Sequence, residues 1–285
     1  MSPVAERVGE EAHDAAGPGA AAPGPRSGGH RDAGATAGSG PAPVVLLHGV
    51  GLDRTVWADV EERLTGREVL ALDLPGHGAQ PPLTSPVTLQ DLADDVVGRL
   101  PEGPVHLVGF SLGALIAQRI AAAAPERVLS LTCVSAVCSR TPEEAEAVRG
   151  RLETARSDFR ASMERAVDRW FPGDVAGNRE RRDRTREVLL ANDVESYLHA
   201  YAVFAVGDRE VAPELPRITA PTLAITGELD PGSTPEMTDR LADSIGGARR
   251  RVVPGVRHML PVEAPDALVG ELTELITEAE GARHD

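Results

Sequence analysis

Gly109-Phe110-Ser111-Leu112-Gly113 lies between two segments that leave it few conformations. Ahead of it, Val105-His106-Leu107-Val108 is an apolar run of strand length. Behind it, residues 114–121 (ALIAQRIA) have the apolar content of a buried helix. A strand that turns directly into a helix crowds its corner. The residue at the apex takes a strained backbone conformation, and positions two away on either side come too close to neighbouring backbone to carry a Cβ, which accounts for glycine at 109 and 113. The plainer reading is a glycine-containing turn with an incidental serine, and it gives no role to the flanking strand and helix. A serine displayed at such a corner is a nucleophile elbow. The rest of the chain must then supply a base, an acid and donors for an oxyanion.

The segments around the elbow repeat its rhythm. Residues 1–42 are rich in Gly, Ala, Pro and Ser with few large apolar side chains, a composition that cannot offset its own ordering entropy, so this tract is expected to be disordered. It has no apolar stretch of the kind a secretory signal needs. From residue 43 the chain alternates. Val44–His48, Glu68–Asp73, Val105–Phe110 and Val128–Val137 read as strands, and 54–64, 88–100 and 112–124 read as helices between them. The pattern predicts a mostly parallel sheet with helices on both faces. Residues 141–213 break it with charge-rich helical sequence whose ionic residues read as solvated faces. Trp170, Phe171, Tyr197, Tyr201 and Phe204 concentrate there in a chain with 3% aromatics. They form either the core of a small helical insertion or the wall of a pocket. The rhythm resumes with a strand at 222–226, a helix at 234–245, a strand at 249–253 and a final helix from 261 to 279. The expected organisation is a core of residues 43–140 and 214–285 interrupted by an inserted helical cap, 141–213.

Composition narrows the partners. A net charge of −15 repels nucleic acid, and no apolar run has the roughly 18 residues needed to span a bilayer. All 29 basic residues are arginine, which reads as coding bias. Cys133 and Cys138, the chain's cysteines, fall in one apolar run. In an extended strand they stand about 16 Å apart, beyond disulfide reach, so two buried thiols and a reducing, cytoplasmic setting are expected.

An alkyl hydroxyl is a weak nucleophile at neutral pH and needs a base, itself oriented by an acid. In parallel sheets such groups gather beyond the carboxyl ends of the strands. His258, in the loop after the last strand, is the expected base. Asp230, just past the strand at 222–226, is the expected acid, with Glu228 its near competitor, while Asp73 is placed to brace the turn at 75–78. The order serine, acid, histidine is that of serine hydrolases built on an α/β sheet. The backbone N–H groups of Leu112, at the start of the elbow helix, and of Val50, in the loop after the first strand, are the expected oxyanion donors. Phe110, Trp170 and Tyr201 are expected to touch substrate. His106 reads as a core residue, His77 as part of a turn, and His48 as loop support. No metal or organic cofactor is implied.

His48-Gly49-Val50-Gly51 with Trp57, Asp73-Leu74-Pro75-Gly76-His77-Gly78, the elbow, Gly227-Glu228-Leu229-Asp230 and His258 together resemble the α/β-hydrolase superfamily over about residues 43–280. Within it the chain is most similar to small carboxylesterases and the 3-oxoadipate enol-lactonase branch. The resemblance implies the α/β-hydrolase fold, a helical cap at 141–213, and a serine hydrolase acting on a small-molecule ester or lactone. Amide, thioester or carbon–carbon hydrolysis by the same machinery, and a ligand receptor with weak turnover, are the alternatives. Many relatives carry glycine where Ala114 stands, and many begin with two antiparallel strands for which the tail offers no clear sequence.

Overall fold

The structure, a computed structural model, describes residues 40–173 and 178–282. All of the tail except residues 40–42 lies outside them. Six strands form one sheet in which every neighbouring pair is parallel: β1 (Val44–Leu47), β2 (Val69–Leu72), β3 (Val105–Phe110), β4 (Val128–Val134), β5 (Thr222–Gly227) and β6 (Arg249–Val253), in the order β2-β1-β3-β4-β5-β6. Strand order reverses between β1 and β3. The crevice at the carboxyl end of such a switch is where open α/β sheets place their sites. β1 and β3 are buried along their whole length, as expected of strands covered on both faces.

The helices that cover the sheet are α1 (Ala58–Glu61), α2 (Leu89–Arg99), α3 (Leu112–Ala123) and α8 (Pro235–Ser244) between strands, and α9 (Leu260–Glu263) and α10 (Pro265–Gly281) after β6. Their ends follow local chemistry. Thr88 and Asp91 satisfy each other's backbone N–H groups in a capping box at α2. Asp53 caps the turn that follows it, as its sequence position implies. Three expectations change. The helix expected at 54–64 is a 3-10 turn, Arg54–Trp57, followed by the single turn of α1. β4 ends at Val134, so Ala136, Val137 and Cys138 owe their burial to a loop packed into the core. The final helix is broken at Ala264, because Pro265 has no N–H to continue α9 and instead starts α10. The two thiols are buried and free, as expected, though only Cys133 lies on a strand.

Between β4 and β5 the described residues form four α-helices, α4 (Pro142–Ser157), α5 (Phe159–Trp170), α6 (Asn178–Ala191) and α7 (Val194–Val211). Their attachment to the sheet layer is partly ionic. Arg140, in the loop after β4, donates from its backbone N–H to Asp208 Oδ2 (2.8 Å) and from Nη1 to Asp208 Oδ1 (2.7 Å) on α7, and both side chains are buried. The guanidinium lies 4.6 Å from the centre of the Phe204 ring. Among the described residues no helix is long and apolar enough to cross a membrane.

Candidate active site

Ser111 stands between β3 and α3 with φ 54° and ψ −110°, a left-handed conformation costly for a residue with a Cβ. The corner is held from both sides. The Ser111 N–H donates to the Val134 carbonyl (2.9 Å), and the Gly113 N–H donates to the His48 carbonyl (3.1 Å). A methyl group at Gly113 would run into the carbonyls of Leu47 and His48, so the elbow requires glycine there for close approach.

Asp230 follows β5 and is buried. Its Oδ1 accepts from the N–H groups of Gly232 and Ser233, each at 2.9 Å, and its Oδ2 lies 2.7 Å from His258 Nδ1. A carboxylate so engaged accepts from Nδ1–H, which leaves His258 Nε2 as the unprotonated ring nitrogen. Two features bring these loops together. Gly227, the last residue of β5, touches the backbone of Val256 and Arg257 so closely that any Cβ would collide with their carbonyls. Ser135, just past β4 and also at positive φ, donates its hydroxyl to the His258 carbonyl (3.1 Å). The competitor Glu228 points elsewhere and accepts from the Gly255 N–H.

Ser111 and His258 line one pocket of about 60 Å³. Val50, Trp170 and Tyr201 share its wall, and Tyr197 and Phe204 join them there. Trp170 stacks on the His258 ring with centroids 5.4 Å apart and planes 24° apart. Leu112 is the first residue of α3, where a helix leaves its N–H groups unpaired, and no hydrogen bond within the described residues involves the N–H of Leu112 or Val50. Phe110 corrects an expectation. It is not part of the pocket wall but is fully buried beneath the site, with its ring 5.1 Å from His258 and 6.3 Å from Trp57.

His48 and His106 are structural. Leu74 N–H donates to His48 Nε2 (2.9 Å), so Nδ1 carries the proton and donates to the Gly49 carbonyl (2.8 Å). Burial, and then the charge of neighbouring His77, push the His48 pKa down to about 3. His106 is hydrogen-bonded to Ser130 Oγ at 2.8 Å. Asp73 braces its turn by accepting from the N–H groups of Arg54 (2.8 Å) and Ala79 (3.0 Å). A larger cavity, about 220 Å³, opens between residues 52–59 and α6, but it contains none of Ser111, Asp230 and His258.

Sequence reasoning missed Ser135 and Arg151, and it left open whether Arg169 of the insertion faces inward. Ser135 carried a signal, since it ends the strand between the elbow and the acid loop. The arginines carried none, since charge on a helix reads as a solvated face. Ser162, Ala166, Arg169 and Trp170 follow helical spacing along α5 and all face the pocket, as do Tyr197, Tyr201 and Phe204 along α7.

The family model described as the alpha/beta hydrolase family matches residues 44–271. The chain is 33% identical over 228 residues to the (E)-2-((N-methylformamido)methylene)succinate hydrolase of Acinetobacter baylyi, which covers 79% of this chain and 86% of that one. It is 30% identical over 247 residues to a pimeloyl-(acyl-carrier protein) methyl ester esterase of Edwardsiella ictaluri, with 84% and 95% covered. Among solved structures, the enol-lactonase from Burkholderia xenovorans aligns with a TM-score of 0.75 at 27% identity, over 83% of this chain and 92% of that chain.

Proposed function

Because the chain belongs to the alpha/beta hydrolase family, and is an enzyme of its esterase and lactonase branch, we propose that it cleaves a small carboxylic ester or lactone with Ser111 as nucleophile, His258 as base and Asp230 as the acid that orients it. One observation carries the reading. A serine held at positive φ at a helix N-terminus shares a small pocket with a histidine whose Nδ1 is bound by a buried carboxylate.

The chemistry follows from the protonation pattern. His258 Nε2 takes the Ser111 proton as Oγ attacks the ester carbonyl. Asp230 stabilises the imidazolium that forms, and Trp170 covers its face, where a ring quadrupole favours a cation. The tetrahedral oxyanion is held by the N–H groups of Val50 and Leu112, with the N-terminal end of α3 adding a favourable dipole. His258 then gives its proton to the departing alkoxide. Water, deprotonated by the same nitrogen, releases the acyl group from Ser111. In this scheme α4–α7 serve as the cap that closes the pocket. The methyl ester esterase and enol-lactonase among the relatives support an ester or lactone over other acyl bonds.

A fluorophosphonate probe tests the assignment. The adduct is expected on Ser111, and Ser111→Ala is expected to lose both labelling and hydrolysis of short-chain esters. Labelling at another serine, or esterase activity that survives Ser111→Ala, would overturn it.

A further inference from the structure

We propose that Glu263, at the end of α9, is a positioning residue for His258: it fixes the loop that carries the base and presents a second negative charge, besides that of Asp230, to the imidazolium formed during turnover. The proposal rests on the hydrolase reading above and names a further group that serves the same site. Its ground is the peptide group between Val256 and Arg257, which is gripped at both ends. Its carbonyl accepts from the Leu229 N–H of the acid loop (2.9 Å), and its N–H donates to Glu263 Oε2 (3.1 Å). His258 comes next, and its own carbonyl accepts from the Ser135 hydroxyl (3.1 Å). The base therefore sits on a segment tied to the acid loop, to the end of β4 and to α9. Of these three ties, only the one to α9 runs through a charged group. Glu263 is half-buried and forms no ion pair within the described residues. Burial raises its pKa, opposed by the Arg257 N–H, the His258 ring, the Met259 N–H and Arg181 of α6.

A neutral acceptor would hold one N–H without the desolvation cost of a charge. A carboxylate in that place has a use if a cation forms beside it, and the cation that forms there is the protonated ring of His258. The influence is mutual: a positive ring favours the ionised carboxylate, and the ionised carboxylate favours the positive ring. The ring is neutral before it takes the Ser111 proton and positive afterwards. A fixed carboxylate therefore stabilises the charge-separated state more than the resting one. The charged and titratable groups around the pair come from separate elements. Asp230 binds Nδ1, Arg151, Arg169, Tyr197 and Tyr201 line the pocket wall with the ring, and Arg181 acts on Glu263 from α6. Arginine and tyrosine keep one protonation state below about pH 9, and Asp230 is common to every variant compared. A change in the acid limb on altering residue 263 thus reports on residue 263.

Glu263→Gln separates the charge from the tie, because the amide oxygen can still accept from the Arg257 N–H, whereas Glu263→Ala removes both. The test follows kcat and KM for a short-chain ester from about pH 4 to about pH 9, the range over which carboxylates and histidine titrate. In Glu263→Gln the midpoint of the acid limb is expected to lie about 0.5–1 pH unit below that of wild type, because the imidazolium has lost a neighbouring anion. On the alkaline plateau kcat is expected to fall about 3- to 10-fold, the same shift converted to a rate, with KM unchanged. The two profiles are expected to converge at low pH, where Glu263 of wild type is itself protonated. Glu263→Asp, which keeps the charge and shortens its reach, is expected to retain the wild-type limb while losing part of kcat. A merely structural role would lower kcat/KM by one factor at every pH and leave the limb in place. The Hε1 proton resonance of His258, assigned by its absence in His258→Gln, reads the coupling without turnover in Ser111→Ala, and its titration midpoint is expected to fall by the same amount when Glu263→Gln is added. Profiles that superimpose after scaling, with an unmoved resonance, would overturn the role of Glu263 and leave the hydrolase reading standing. A shifted resonance in a protein that cleaves no ester and takes no label on Ser111 would support the coupling of Glu263 to His258 and overturn the hydrolase reading.

Discussion

At the scale of single residues, the site depends on which nitrogen of each histidine is occupied. His258 and His48 are both buried near the carboxyl ends of strands, yet their surroundings assign them opposite work. His258 has Nδ1 bound to Asp230 and Nε2 facing the pocket beside Ser111. His48 has both nitrogens engaged, one donating to Gly49 and one accepting from Leu74, so it ties the loop that carries Val50 to the end of β2. That tie requires a neutral ring, and burial keeps it neutral with a pKa near 3. The consequence for stability has a definite sign. Once unfolded, the same ring takes up a proton below about pH 6.5. The unfolded state therefore binds the extra proton between pH 6.5 and 3, and the native state loses stability as pH falls through that window. In His48→Gln the amide oxygen can still accept from Leu74 N–H but nothing titrates. Its stability-against-pH curve, measured by urea unfolding, is expected to be shallower than wild type by about one proton, or about 1.4 kcal/mol per pH unit, between pH 6 and 4. Parallel curves for the two proteins would show that His48 is not the neutral ring described here.

At the scale of elements, the helical insertion must be held against the sheet for its aromatic and arginine side chains to reach Ser111. The Arg140–Asp208 pair does this at a fully buried junction, where Asp208 receives both the backbone N–H and the guanidinium of Arg140. Removing one partner of such a pair strands the other charge in the interior. Asp208→Ala is expected to cost about 3–5 kcal/mol in urea unfolding, whereas Arg140→Met with Asp208→Leu is expected to recover most of it. A loss below about 1 kcal/mol in the single variant would mean that the junction is held by its apolar contacts instead. How much of this level was legible in the sequence depended on whether the signal was local. The elbow, the acid loop and the histidine loop each announce themselves within a few residues, because a strand end followed by Gly and a functional side chain is a local pattern. The boundaries of β4 and of the last helix were less legible. Ala136, Val137 and Cys138 are apolar because a loop dips into the core, and Pro265 breaks a helix whose apolar spacing continues past it. The inward face of α4 and α5 was not legible at all. An arginine in a charge-rich helix reads as solvated, and only the packing of α5 against its neighbours turns Arg169 and Trp170 together toward Ser111.

At the scale of the whole sheet, cooperativity is concentrated in the strands that carry the site, and the two thiols report on it. Cys133 lies in β4, in register with Gly109 of β3 on one side and Ala224 of β5 on the other, so it joins the strand before the elbow to the strand before Asp230. Burial pushes its pKa up to about 12, far from the thiolate that reacts with alkylating reagents. Its side chain stands off the sheet against Gln118 of α3, so exposing it requires lifting that helix from the sheet, which removes the core that holds the strands together. Cys138 is also buried and its pKa is also raised by burial, but it lies beyond the strand end, and the Arg240 side chain donates to its carbonyl across to α8 (3.1 Å). Opening of the loop around residues 135–140 would uncover Cys138 while the sheet stays intact. Pulse labelling with iodoacetamide across a urea series, read by peptide mass spectrometry, is therefore expected to separate the two. Cys138 should label at lower urea, tracking loss of esterase activity as the insertion loosens from the sheet. Cys133 should label only at the midpoint of the far-ultraviolet circular dichroism transition, because its exposure and the loss of the sheet are one event. Labelling of Cys133 in native buffer at the rate of Cys138 would show that β4 opens independently, and the sheet would then not be the rigid frame on which Ser111, His258 and Asp230 are assembled.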